Sequence, residues 1–184
     1  MPAVLSLKAA EKQFPGLTTK SWTIRDATAA DLPAVVAIYN AAIATRMATA
    51  QLEQVTVESR KNWLNDHSPD EYPFWVLETD GQVAGWLTFK SFLPRCAYRG
   101  TAELSVYVHE EFRRRGIARK LLERAIERAP GLGLTALVGL IFAHNEPSIR
   151  LFGELGFTRW GLLPRVARLE DVERDLTIMG RHLP

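Results

Sequence analysis

Hydrophobic positions along this chain alternate between a period near two and a period near 3.6, and each switch marks a predicted element. Residues 22–25 predict a first strand. Thr28, with Asp31 three positions on, predicts a capped helix start, and Pro33 is compatible with the first turn. Leu32, Val35, Val36, Tyr39, Ala42 and Ile43 then recur at helical spacing and define one buried face. Thr56 predicts the cap of a second helix running through Trp63 and Leu64 and ending before Pro69. Residues 74–77 and 83–89, separated by Asp80-Gly81, predict an antiparallel hairpin.

Residues 101–108 alternate cleanly. Ala102, Leu104, Val106 and Val108 face one way, and Thr101, Glu103, Ser105 and Tyr107 the other. A charged break leads to a helix over 116–128 with Ile117, Leu121, Leu122 and Ala125 inward. Residues 137–142 predict a strand buried on both faces. Asn145-Glu146-Pro147 opens a helix whose apolar side is Ile149, Phe152 and Leu155, and Gly156 stops it. Two strands follow, over 157–163 and 176–182. The order β-α-α-β-β-β-α-β-α-β-β predicts an α/β (α+β) fold, a mixed sheet with helices on its faces. Residues 1–20 show no period and contain Pro15-Gly16, so they read as an N-terminal extension to a single domain over 21–184.

Composition narrows the class. The 184 residues are 47% hydrophobic and 24% charged, enough for one sizeable core and too apolar for intrinsic disorder. Lys and Arg number 23 against 21 Asp and Glu, a net charge of +2, which argues against a nucleic-acid-coating surface. Cys96 is the single cysteine, which excludes an internal disulfide or a multi-cysteine zinc site; the four histidines lack ligand spacing, and no metal is expected. The apolar run over 134–143 is short of the ~20 residues that span a bilayer, and residues 1–12 offer no secretory core. The expectation is a cytoplasmic protein without a membrane partner.

The segment from Val106 to Ala118 is a strand, a basic turn and a helix start. In Arg113-x-x-Gly116-x-Ala118, glycine permits close backbone approach, a small alanine leaves space, and the helix N-terminus adds positive potential. Such a turn binds a pyrophosphate. It also reads as a solvated arginine cluster at a helix end.

Asn145, Pro147-Ser148, and then Leu151-Phe152-x-x-Leu155-Gly156-Phe157 stand one strand further on. Together the two segments resemble the acyl-CoA-dependent N-acetyltransferase (GNAT) superfamily. The likeness extends to its phosphinothricin and methionine sulfone/sulfoximine acetyltransferase branch through Ile24-Arg25-x-Ala27-Thr28-x-x-Asp31-Leu32, Ile38-Tyr39-Asn40, the stretch from Ala97 to Val108, and Leu155-Gly156-Phe157. The resemblance covers most of the chain after residue 22. It implies a mostly antiparallel central sheet, acetyl-CoA as acyl donor, a small-molecule amine as acceptor, and commonly a homodimer.

It also implies roles. Val106, Tyr107 and Val108 would pair with the pantetheine arm; Arg113, Arg114, Arg115, Gly116, Ile117, Ala118 and Arg119 would cradle the pyrophosphate. Asn145 would contact the cofactor arm, though it also reads as a helix N-cap. Glu103 would be the general base, with an ion pair to Arg95 or Arg99 as its other reading. Phe92, Arg95, Tyr98 and Arg99, in the loop before the central strand, and the end of the first helix would border the acceptor. Phe152 stands where many superfamily members have Tyr and this branch often His, and residues 48–52 and 169–174 depart from the branch pattern. Acetylation of a peptide, and a non-catalytic acyl-CoA sensor, are the alternative functions.

Overall fold

A computed structural model describes residues 21–184. The expected extension, residues 1–20, lies outside the described residues. Strands β1 (Trp22–Asp26), β2 (Phe74–Thr79), β3 (Gln82–Ser91), β4 (Thr101–Val108), β5 (Ala136–Phe142), β6 (Thr158–Leu169) and β7 (Val172–His182) form one sheet in the order β1-β2-β3-β4-β5-β7-β6. Helices α1 (Leu32–Thr45), α2 (Asn62–Asn65), α3 (Ile117–Arg128) and α4 (Glu146–Glu154) flank it. Every neighbouring pair is antiparallel except β4 with β5. The expected mixed, mostly antiparallel α/β fold is therefore present.

Local signals account for the elements. Asp80 (φ 54°) and Gly81 (φ 74°) both take left-handed conformations, the geometry a two-residue hairpin turn demands between β2 and β3. Thr28 and Asp31 complete a capping box, closing a 3-10 turn that leads into α1. Thr56 Oγ1 accepts from the Ser59 N–H at 3.2 Å, starting the turn before α2. The predicted second helix is shorter than expected, a 3-10 turn (Glu58–Arg60) followed by one turn of α2.

The sheet's two faces carry different cores. Leu104, Leu87, Leu137, Phe152 and the inward residues of α3 make the larger one. On the opposite face Val35 and Ile38 of α1 meet Phe74, Val76 and Trp86, with Tyr39, Trp63 and Tyr107 packed against them. The alternation read along β4 thus sorts its residues correctly: Ala102 and Leu104 into the first core, Tyr107 onto the second.

Strands β6 and β7 run beyond the predicted spans. They form a long hairpin closed at Glu170 (φ 57°) and Asp171, with register shifts between Arg159 and Gly161 and between Leu163 and Ala167. Among the described residues, no helix is long and apolar enough to cross a membrane.

Arg25 on β1 ties the first strand to the helix entry. Its guanidinium donates to both Asp31 oxygens at 2.7 and 2.8 Å and to Glu78 Oε2 at 2.9 Å. The Arg25 guanidinium holds the buried Asp31 carboxyl at about 2, below its ordinary value, against the opposing effect of burial and with further help from Thr28. A carboxyl lowered on folding contributes stability above its unfolded value, and that contribution fades as pH falls through about 4 toward 2. Asp31→Asn is therefore expected to lower unfolding free energy by on the order of 1–2 kcal/mol at pH 7. The gap between variant and parent should shrink below about pH 4 and close only near pH 2 and below in denaturant titrations; a gap unchanged there would contradict the assignment.

Candidate active site

β4 and β5 begin side by side and then part. Their ladder holds only three pairs, Thr101 with Ala136, Ala102 with Leu137, and Glu103 with Val138. Each strand stays fully paired on its outer side, β4 with β3 from Ala102 to Val108, and β5 with β7 along its whole length. The result is a wedge in mid-sheet. Backbone groups of β4 beyond Glu103 have no strand partner on the β5 side, an edge that an amide-bearing chain can join.

A cavity of about 510 Å³ fills the wedge mouth, and a smaller space of about 60 Å³ runs back between Leu104, Ser105, Val106 and Leu140, Ile141, Phe142. Val106, Tyr107 and Val108 line the larger space on one side; Asn145, Pro147, Ser148, Leu151 and Phe152 line it on the other. Phe152 reaches both spaces. Its ring lies so close over Gly139 of β5 that a Cβ there would stand 2.5 Å from Phe152 Cε1.

The basic turn closes one end. Arg114 (φ 60°) and Gly116 (φ 80°) adopt left-handed conformations within three residues, which turns successive N–H groups toward one side. No side chain caps α3, so its first amides are left for a ligand, and a Cβ built at Gly116 meets nothing within 4 Å. Arg113, Arg114, Gly116, Ile117, Ala118 and Arg119 all line the cavity. Arg113 and Arg114 make no ion pair among the described residues, whereas Arg119 pairs with Glu154. The Arg115 guanidinium sits 5.3 Å over the Phe112 ring and Arg115 is outside the lining, which leaves its main-chain amide as its part in the turn. The arrangement fits a diphosphate, with open amides, positive potential and space at one place.

Asn145 fulfils the capping reading and does more. Its Oδ1 accepts from Ser148 N–H at 3.3 Å, and its Nδ2 donates to Met47 O at 3.0 Å. That second bond pins the segment after α1, which the sequence marked through the end of the first helix and the departure over 48–52 but not through Met47 itself. Thr45, Met47 and Ala48 line the cavity from above. His144 Nε2 lies 3.2 Å from Arg46 O, the Tyr107 hydroxyl donates to Ala48 O at 3.5 Å, and the Tyr39 hydroxyl shares a 2.8 Å bond with Thr49. The roof is held largely through backbone carbonyls, which leave no trace in residue type.

Glu103 occupies the apex, in the last β4–β5 pair before the strands part. It is half-buried and lies outside the cavity lining, on the face toward α1 and α2. Neither Arg95 nor Arg99 pairs with it; among the described residues its side chain makes no ion pair or hydrogen bond, and its register partner on β3 is Lys90. Burial pushes the Glu103 carboxyl above its ordinary value, opposed by the Lys90 ammonium. Phe92, Arg95, Tyr98 and Arg99 also lie outside the cavity lining. They belong to the loop joining β3 to β4 at the Glu103 end, where Phe92 N–H bonds Thr101 O and the Phe92 and Tyr98 rings meet edge to face at 6.4 Å. No cluster among the described residues has the donors to hold a metal ion.

A mid-sheet wedge, an uncapped Arg-Gly turn and a capped helix beyond it define an acyltransferase scaffold, and the chain belongs to the acetyltransferase (GNAT) family, whose model matches residues 35–157. It is similar to YwnH of Bacillus subtilis (strain 168), 46% identical over 162 residues that make up 88% of this chain and 99% of that one. It is 37% identical over 164 residues to the L-methionine sulfoximine/L-methionine sulfone acetyltransferase of Pseudomonas aeruginosa, covering 89% and 95% of the two chains. The crystal structure of a phosphinothricin acetyltransferase from Sinorhizobium meliloti in complex with AcCoA superposes with a TM-score of 0.83 at 29% identity, covering 88% of each chain. The protein is thus an N-acetyltransferase.

Gly139 and Phe152 form a size-matched pair in the wedge. Gly139→Ala is expected to cost about 1–3 kcal/mol in unfolding free energy by displacing the ring. Gly139→Ala combined with Phe152→Leu should recover part of that loss in a double-mutant cycle; purely additive effects would show that the contact does not matter.

Proposed function

We propose that this protein moves the acetyl group of acetyl-CoA to the primary amine of a small amino acid or amino-acid analogue, of the methionine sulfone, sulfoximine or phosphinothricin type. The observation that carries the reading is Glu103, an unpaired carboxyl of raised pKa at the apex of a wedge whose open mouth ends in the Arg-Gly turn. The named substrates of the similar proteins support the acceptor class.

Bound acetyl-CoA supplies the thioester. In this reading the amides of the turn 113–118, with Arg113 and Arg114, hold its diphosphate, and the free edge of β4 from Val106 to Val108 holds its amide-bearing arm. Glu103 takes the proton from the acceptor ammonium, directly or through water, so that nitrogen attacks the carbonyl. An N–H of β4 near Val106 steadies the developing oxyanion. Holding amine and thioester in register supplies much of the acceleration. Phe152 has no proton to give. The sulfur leaves as the thiolate, which a thiol pKa of about 8.5 allows; the nitrogen's second proton passes to solvent as the intermediate collapses, and solvent protonates the thiolate.

The reading extends to a homodimer. At the sheet edge, β6 leaves Trp160, Leu162, Leu163 and Val166 each more than 40% exposed, a run of apolar side chains that a second copy can cover. Sedimentation should give a dimer for the native chain and a monomer for Leu162→Lys; a native monomer removes this part of the proposal.

Release of free thiol from acetyl-CoA, followed across amino acids, their sulfone and sulfoximine analogues, and peptides, tests the activity. Glu103→Gln should lower kcat by about 10²–10⁴-fold with acetyl-CoA affinity retained. Because the base must be ionised, kcat/KM should rise with pH through a midpoint above the ordinary carboxylate range, and Glu103→Gln should flatten that limb. Full turnover in Glu103→Gln would reject the base, and acetyl-CoA binding without transfer to any amine would favour the sensor reading.

A further inference from the structure

On the sheet face turned toward α1 and α2, two rows of side chains run in register. Lys90, Thr88 and Trp86 of β3 stand opposite Glu103, Ser105 and Tyr107 of β4. Directly opposed residues hold their Cβ atoms about 5 Å apart, so Lys90 and Glu103 present opposite charges side by side. Among the described residues neither is committed elsewhere: no ion pair within 4.0 Å and no side-chain hydrogen bond involves either of them. Lys90 is exposed and Glu103 half-buried, so both are reachable from solvent.

A second observation points to the same place. The Thr88 hydroxyl, next along the row from Lys90, is buried at 3% exposure and has no hydrogen-bond partner. The indole N–H of Trp86, further along, is likewise buried and unpartnered. An unmade hydrogen bond of this kind is costly. The Thr88 hydroxyl beside an uncommitted ion is a donor that a polar ligand reaching in between the rows would satisfy, whereas Trp86 is enclosed by the rings of Tyr39, Trp63, Phe74 and Tyr107.

An amino acid carries an ammonium and a carboxylate on one carbon, the complement of a carboxylate and an ammonium held in neighbouring cross-strand positions. We propose that Lys90 is the specificity residue that binds the acceptor's carboxylate, with the Thr88 hydroxyl as a second donor, and so delivers the acceptor's amine to Glu103. This rests on the acetyl-transfer reading above. It replaces Arg95 and Arg99 in the carboxylate-binding role, because those side chains sit in the connecting loop rather than in register with the base. Lys90 thereby selects acceptors with a free carboxylate over amides and simple amines.

Its charge also acts on Glu103. The groups facing that carboxyl are Lys90 from β3 and Tyr107 along its own strand; from the helical side His67 interacts with Lys90 and, separately, with Asp66. Lys90 favours the ionised carboxylate, so removing it raises the pH at which the base becomes active.

The test uses the full chain, acetyl-CoA and two acceptors, L-methionine sulfone and its carboxamide. In the parent, kcat/KM should favour the acid. In Lys90→Gln the acid-to-amide ratio should fall about tenfold, through KM for the acid rather than kcat, the loss of one charge-assisted contact. Lys90→Arg should restore most of it. With the carboxamide as acceptor, the acidic limb of the pH profile should move to higher pH in Lys90→Gln, a shift that a merely structural residue does not produce. Unchanged acetyl-CoA affinity and circular dichroism establish that the variant is folded. Should the ratio survive in Lys90→Gln, or collapse in Arg95→Gln or Arg99→Gln instead, the proposal is overturned while acetyl transfer stands. Failure of the parent to acetylate any amine would count against the reading beneath it.

Discussion

The parting of β4 from β5 is the constraint on which the remainder of the molecule depends. Three backbone pairs hold the two strands, and beyond Glu103 and Val138 each relies on its outer neighbour. Unpaired backbone inside a protein is expensive, and here the wedge opens to a cavity rather than to packed side chains, so solvent or a ligand meets the free groups. Phe152 and Gly139 keep the opening in shape, the ring lying against the backbone of β5 where any side chain would expel it. The α3 turn and the roof segment are placed around this opening, one at its end and one above it.

Much of this was legible along the chain because the residues involved are constrained by conformation. Gly116 and Gly81 stand where φ is positive, Thr28 and Asp31 where a cap is required, and Asn145 where a helix starts. The alternation from Thr101 to Val108 located Glu103 on its face. What escaped notice has physical reasons. Met47 enters the site through a carbonyl group, which every residue has. The predicted strands leave out 164–175, where Pro164, Arg165 and several further charges interrupt any period. Yet β6 is an edge strand, exposed along nearly all its length, and solvent imposes no alternation on it. Arg115 lies in the motif by sequence, and its side chain lies over Phe112.

The charge arrangement divides the site by function. Positive groups free of partners, Arg113 and Arg114, face the cavity at the mouth. At the apex a carboxyl is kept weakly acidic by burial, with a lysine opposite that limits the rise. The contrast with Asp31 is instructive. Both are carboxyls partly withdrawn from water, but the Arg25 guanidinium contacts Asp31 directly and fixes it as an anion, whereas Lys90 stands beside Glu103 without closing an ion pair. Direct contact makes a structural anchor; separation leaves a group able to exchange a proton.

Two half-sheets joined at three rungs behave like the covers of a book, and the spine runs through Glu103 and Val138. Any breathing of the covers sweeps the outer ends of β4 and β5 through the largest arc and the spine through the smallest. In the proposed reaction the carboxyl that takes the acceptor's proton would thereby be mounted at the fulcrum, where entry and exit of a bulky nucleotide would disturb it least.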